Sequence, residues 1–209
     1  MKINQTKPAI GLLGGTFNPI HNGHLRLALE IYERLSLAEV RLIPSAQPPH
    51  RAIPSVSSKL RLEMVQAAIA GVNGLIADDR ELQRDGPSYM VDTLFSLRAE
   101  YPDNPLCLIL GSDAFMNLNS WYQSTQIINL AHIIVVRRPN TVLTIQNINQ
   151  TNQLNQLYTS KAGKIWVEEL PDMAISATQI RDLIAAGNNP NYLLPLAVLD
   201  IINHNRIYR

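Results

Sequence analysis

The stretch Gly14-Gly15-Thr16-Phe17-Asn18-Pro19-Ile20-His21-Asn22-Gly23-His24 constrains this chain more than any other, because it joins an apolar strand to an amphipathic helix through a turn carrying two imidazoles. Pro8 to Leu13 reads as a buried strand, and Leu25, Ala28, Leu29, Tyr32 and Leu35 recur at helical spacing on one face of the segment that follows. Gly14 and Gly15 let the backbone come close to a ligand, while the first helical turn offers unpaired N–H groups and a positive dipole end to an anion. His21 and His24, three residues apart at the helix start, can reach the same side as side-chain donors. The pattern points to a nucleotide phosphate site.

Other chemistries fit the string less well. A zinc site built on His21 and His24 would need further ligands, and no nearby Cys or carboxylate completes a set of four. A dinucleotide-binding dehydrogenase is disfavoured: Gly-x-Gly-x-x-Gly is absent, and the strand Val40 to Ile43 ends in Pro44-Ser45 rather than in an acid for a ribose. A Walker A loop is absent as well, since Gly163-Lys164 is followed by Ile165, which has no hydroxyl for magnesium.

A length of 209 residues with 46% hydrophobic content suffices for one substantial core, so a single domain over residues 1–209 is expected. The net charge of +1 provides no bulk field for nucleic acid or an anionic membrane, so any anion site must be local. The apolar stretch around Leu130 to Val136 is too short to span a bilayer, and the N-terminal residues lack a long apolar core of the kind that directs export. Cys107, the single cysteine, lies in the apolar run Pro105 to Leu110 and cannot form an internal disulfide. A cytoplasmic protein is expected, with its oligomeric state left open.

Apolar runs at Ile10 to Leu13, Val40 to Ile43, Leu75 to Ala77, Leu106 to Leu110, Ile133 to Val136 and Ile165 to Val167 read as strands. They alternate with helical segments at Gly23 to Leu35, Ser58 to Ala70, Ser88 to Tyr101, Thr125 to Leu130, Ala177 to Ala186 and Leu196 to His204. Alternation of this kind predicts an α/β fold, a Rossmann-like doubly wound parallel sheet, with a small C-terminal helical part. Ligands gather at the carboxyl ends of strands in such folds. Gly14-Gly15, Pro44 to Arg51, Gly111 to Asp113 and Arg137-Arg138 each follow a strand, so one crevice is expected. The Asn/Gln-rich stretch Gln146 to Gln156 reads as a peripheral insertion.

Further candidates lie outside the first motif. Pro44 to Ser58 is a proline-rich loop that could close over a ligand, with His50 and Arg51 as phosphate contacts or as solvated surface. Ser176 and Gln179 form a capping-box pattern for a helix whose apolar face is Ile180, Leu183 and Ile184, with Thr178 and Arg181 beside its free N–H groups. Asp113, just after a strand, could bond ribose hydroxyls, hold a magnesium-bound water, or cap a surface helix. Trp121 could stack on a flat ring or simply pack.

Gly14 to His24 resembles the signature of the His-x-Gly-His nucleotidyltransferase superfamily. Pro48-Pro49-His50-Arg51, Arg84 to Tyr89, Asp92-Thr93-Leu94, Gly111-Ser112-Asp113, Trp121, Arg137-Arg138-Pro139 and Ile175 to Arg181 occur in the order and spacing of bacterial nicotinate-nucleotide adenylyltransferases. The resemblance implies transfer of AMP from ATP to nicotinate mononucleotide, forming nicotinate adenine dinucleotide and pyrophosphate in NAD biosynthesis. It implies His21 and His24 as catalytic residues, and Gly14, Gly15, Thr16, Phe17, His50, Arg51, Gly111, Asp113, Ser176, Thr178 and Arg181 as ATP contacts. Ser88, Tyr89, Met90, Trp121 and Arg137 would receive nicotinate mononucleotide, and Mg2+ would come bound to substrate rather than in a protein site. Met90 departs from the family, which typically carries Thr there. A binding module without turnover, or the pantetheine-phosphate enzyme, would share the first motif; the latter typically lacks the Ser88-Tyr89 and Trp121 segments.

Overall fold

A computed structural model describes residues 7–49, 54–137, 149–171 and 173–209. Six strands run β1 (Ile10–Gly15), β2 (Glu39–Pro44), β3 (Leu75–Ala77), β4 (Leu106–Gly111), β5 (His132–Arg137) and β6 (Ile165–Glu169). They form one all-parallel sheet of order β3-β2-β1-β4-β5-β6, so the α/β Rossmann-like expectation holds. The helices are α1 (Asn22–Arg34), α2 (Ser58–Ile69), α3 (Met90–Glu100), α4 (Ser112–Met116), α5 (Ser124–Leu130), α6 (Asn155–Thr159), α7 (Ala177–Ala185) and α8 (Leu196–His204). A 3-10 turn occupies Leu118–Ser120.

The chain divides into two compact units. One comprises Met1–Leu13, Ile31–Val40 and Tyr89–Asp172. Here β1 pairs with β4 in the register Ile10↔Leu106, β4 with β5 in Cys107↔His132, and β5 with β6 in Ile133↔Ile165. Residues 106–110 and 132–136 are buried along their whole length, the continuous apolar run that a parallel strand covered on both faces requires. His132 is the polar exception. Its Nδ1 accepts from Lys164 N at 3.0 Å and its Nε2 donates to Ser160 O at 2.9 Å, which satisfies the neutral ring in the core. Arg98 likewise spends its guanidinium on the carbonyls of Tyr101, Asn104, Leu130 and Lys161.

The described part of the Asn/Gln-rich stretch, residues 149–156, meets the sheet at its edge strand β6, with every residue but Thr151 exposed or half-buried, in keeping with a peripheral place, and the chain becomes core just beyond it. Gln150 bridges to Ile165 at the start of β6, Leu157 of α6 is buried, and the Tyr158 hydroxyl donates to Leu35 O. Residues 146–148 lie outside the described residues.

The second unit comprises Gly14–Glu30, Arg41–Ser88 and Met173–Arg209. Helix α2 starts at Ser57, whose side chain accepts from Leu60 N, and buries Arg61, Met64, Val65 and Ile69. It packs against α8, which contributes Val198 and Ile202. Along α1 the fully buried residues are Ala28 and Ile31, with Leu35 just beyond its end, while Leu25, Leu29 and Tyr32 are half-buried. Ile31, absent from the sequence stripe, thus belongs to the core face. Among the described residues no helix is long and apolar enough to cross a membrane.

Candidate active site

In the second unit, β1 ends at Gly15 and the chain turns through Phe17 before α1 begins. Phe17 is buried with φ +46°, in the left-handed region, which costs a residue bearing a Cβ about 1–2 kcal/mol. Its ring explains Gly15: a Cβ there would lie 2.9 Å from Phe17 Cε1. The ring also meets His24 edge-on, with centroids 5.1 Å apart and planes at 86°.

His21 stacks on His24 with ring centroids 3.7 Å apart and planes at 25°. The expectation that both rings reach one side therefore holds. His21 O accepts from His24 N and Leu25 N, starting the helix, and Asn22 donates from N to Leu193 O and from Nδ2 to Tyr192 O. Gly23 leaves room for the stack, since a Cβ there would come within 3.1 Å of His21 Nδ1. The Nδ1 atoms of His21 and His24 are buried with no hydrogen-bond partner among the described residues. Burial holds the His21 pKa down to about 4. Burial, and secondarily the neighbouring His21, hold that of His24 down to about 3. Both rings are thus neutral at pH 7, and each offers one N–H.

Three side chains hold the motif turn. Arg181, in the first turns of α7, donates from Nη1 to Asn18 O at 2.9 Å and from Nη2 to Thr178 Oγ1 at 3.1 Å. The Tyr208 hydroxyl donates to Asn18 Oδ1 at 2.6 Å, and burial raises its pKa above the usual phenol range against the opposing influence of Arg181 and Arg61. Arg61 donates to Thr16 O. The expected cap of α7 is present, Ser176 Oγ accepting from Gln179 N at 3.1 Å, and Ser176 and Thr178 are exposed.

Beyond β2, Ser45 N bonds Gly15 O at 2.9 Å, while Ser45 Oγ is buried without a partner among the described residues. Ser88 Oγ accepts from Ala46 N and Gln47 N at 2.9 and 3.2 Å, so this hydroxyl braces the loop after β2. His50 and Arg51 lie outside the described residues.

The first unit holds the remaining candidates. Gly111 caps α4 with an ordinary φ of −68°, and a Cβ there would meet nothing within 4 Å. Asp113 is exposed in the first turn of α4; the cap position is Gly111, which corrects the capping alternative for Asp113. Ser112 Oγ donates to Val136 O at 3.2 Å. Helix α3 begins at Met90, two residues later than the sequence pattern places it, because Ser88 is drawn to the loop and Tyr89 takes the cap without a side-chain hydrogen bond. The Tyr89 ring meets that of Tyr122 at a tilt of 33°, centroids 4.5 Å apart, and Trp121 beside it is half-buried. Arg137, at the end of β5, is ion-paired with Glu169 of β6, and its Nε is buried without a partner among the described residues.

Residues 12–183 match the cytidylyltransferase-like family model. The chain is 45% identical over 97% of its length, and 98% of the other, to a protein of Aeromonas salmonicida (strain A449) named probable nicotinate-nucleotide adenylyltransferase. It belongs to that family. A Methylococcus capsulatus protein of the same name is 44% identical over 95% of this chain and 99% of its own length. The Plasmodium falciparum nicotinic acid mononucleotide adenylyltransferase complexed with NaAD shares the fold, with a TM-score of 0.76 at 17% identity, covering 96% of this chain and 97% of that one.

Asn18, Ser45, Arg61 and Tyr208, which brace the turn before the histidine pair through their hydrogen bonds, were not singled out from the sequence. Arg61 had a signal: it shares a helix face with Met64 and Val65, where a cation is out of place. The carbonyls it bonds have none. Among the described residues no three His, Cys, Asp or Glu side chains are grouped to hold a metal ion.

Proposed function

We infer that this protein transfers AMP from ATP to nicotinate mononucleotide, giving nicotinate adenine dinucleotide and pyrophosphate, a step of NAD biosynthesis. The observation that carries the reading is the stacked His21/His24 pair at the start of α1, each ring neutral and each with a partnerless Nδ1. A phosphate oxygen of the mononucleotide, ionised at neutral pH, forms a bond to the α-phosphorus of ATP. The bond from that phosphorus to the bridging oxygen breaks, and its electron pair leaves with pyrophosphate. Such a nucleophile needs no protein base. What it needs is positioning and stabilisation of shifting charge.

His24, with His21 beside it, donates to the α/β-phosphate region. Gly14, Gly15, Thr16, Phe17, Ser176, Thr178 and Arg181 hold the polyphosphate, with His50 and Arg51 from the proline-rich loop and Gly111 and Asp113 toward the nucleoside. Ser88, Tyr89, Met90, Trp121 and Arg137 receive nicotinate mononucleotide. The family acts with a divalent metal; we propose Mg2+, entering as the ATP complex, because it prefers phosphate oxygens and water to a protein cage. We also propose a single nucleotidyltransferase domain over residues 1–209, working in the cytoplasm. Burial pushes the Cys107 thiol up to about 12, which leaves it unreactive.

The test is pyrophosphate release from ATP and Mg2+ with a panel of phosphorylated acceptors. Turnover with nicotinate mononucleotide above all others is expected. Preference for pantetheine phosphate, or no turnover with any acceptor, would overturn the reading.

A further inference from the structure

Arg61 is almost wholly buried, yet no described carboxylate pairs with it. Its guanidinium is satisfied by backbone alone: Nε donates to Val56 O at 3.3 Å, Nη1 to Thr16 O at 2.6 Å, and Nη2 to Ser45 O and Ala46 O at 2.7 and 3.3 Å. Those carbonyls belong to three separate segments, the turn after β1, the loop after β2 and the residue before the α2 cap. A buried cation without a counter-ion is a costly way to join loops, because apolar packing of the same volume is often as stable.

The bonds fix more than distance. In a trans peptide the C=O and the following N–H point in opposite directions. Arg61 draws the Ser45 and Ala46 carbonyls to one side, and the amides of Ala46 and Gln47 accordingly meet Ser88 Oγ on the other. By the same rule, holding Thr16 O turns the Phe17 N–H away from the clamp. No described residue accepts from that N–H. Phe17 is also the residue whose ring abuts His24.

We propose that Arg61 is a positioning residue for nucleotidyl transfer: its guanidinium sets the Thr16–Phe17 peptide so that the Phe17 N–H stands ready as a phosphate donor beside His24, and its unpaired charge is completed by the anionic substrate. The proposal rests on the adenylyltransferase reading. Arg61 acts through the peptide and touches no reacting atom.

Arg61→Lys keeps the charge but cannot span four carbonyls, whereas Arg61→Met removes the buried charge and so carries the opposite folding risk. Both are compared with wild type and with Arg98→Lys, which breaks a similar carbonyl clamp in the other unit. Thermal midpoints are measured alongside kcat and KM for ATP and nicotinate mononucleotide. Folded Arg61 variants should lose about 10- to 100-fold in kcat, the scale of a small misplacement of reacting groups. Arg61→Lys should keep its KM for ATP within about threefold while Arg61→Met raises it, since only the former retains the charge. Arg98→Lys should lower the thermal midpoint and leave kcat unchanged. Wild-type kcat in a folded Arg61 variant, an equal kcat loss in Arg98→Lys, or failure of both Arg61 variants to fold would overturn the positioning role. A wild type that releases no pyrophosphate would overturn the activity assignment, and this role with it.

Discussion

The hydroxyl of Tyr208 donates to Oδ1 of Asn18 at 2.6 Å, tying the end of the chain to the turn that precedes the histidine pair. The same asparagine gives its carbonyl to Arg181. Tyr208→Phe keeps the ring and removes this bond alone. It should lower kcat by about 3- to 10-fold, with a thermal midpoint within a few degrees of wild type, as expected for loss of one hydrogen bond of about 1 kcal/mol. Unchanged kcat would show that Asn18 is held well enough by Arg181.

His24→Ala should reduce kcat by about 100- to 1,000-fold with little change in ATP affinity, the usual consequence of removing one donor aimed at developing charge. His21→Ala should follow in the same direction. Steady-state kinetics with a binding measurement on the same variants separates the two quantities, and loss confined to ATP affinity would move His24 from catalysis to ground-state binding.

The low pKa values of His21 and His24, about 4 and about 3, make stability depend on pH with a definite sign. In the unfolded chain both rings titrate near 6.5. Between that value and the folded pKa values the unfolded chain holds more protons, so stability rises with pH across this window and is lost as pH falls below about 6.5. His132, lowered chiefly by burial, acts in the same direction. The thermal midpoint of the ligand-free protein should therefore fall from pH 7 to pH 5, and fall less in the double variant His21→Asn/His24→Asn. Equal slopes would place both rings in ordinary solvation.

Helix α3 begins without a side-chain cap, and the Asp92 and Thr93 amides return to Tyr89 O, which leaves the amides before them at an open positive end. That end favours the carboxylate of nicotinate over the neutral amide of nicotinamide. The ratio of kcat/KM for nicotinate mononucleotide to that for nicotinamide mononucleotide should exceed about 10 despite Met90. A ratio near unity that rises in Met90→Thr would assign the selectivity to a side-chain hydroxyl instead.

Every strand was legible from an apolar run: β4 and the body of β5 are interior and buried on both faces, so they read as unbroken stretches, whereas in β2 and β6 the run is shorter because Glu39, Arg41, Glu168 and Glu169 interrupt or end it. Helices α4 and α6 and the turn at Leu118 were not, since elements of 5, 5 and 3 residues are too short for a period to register. The Ser176 cap was readable because capping is local. Tyr208 and Asn18 are 190 residues apart in sequence, and their contact exists only once α7 and α8 have folded back. The partners of Arg61 were hidden for a different reason: they are backbone carbonyls, which every residue has.

Gly23, like Asn22, makes no polar contact with a ligand in any of these roles, yet a methyl group there would press against His21 Nδ1 at 3.1 Å. The glycine works as a vacancy. It keeps open the volume in which one imidazole can lie flat on the next, so the two histidines and the glycine before His24 form one geometric unit. A substitution at Gly23 would remove no catalytic atom and still misalign both rings, and restoring activity would require reshaping His21 rather than replacing a lost group.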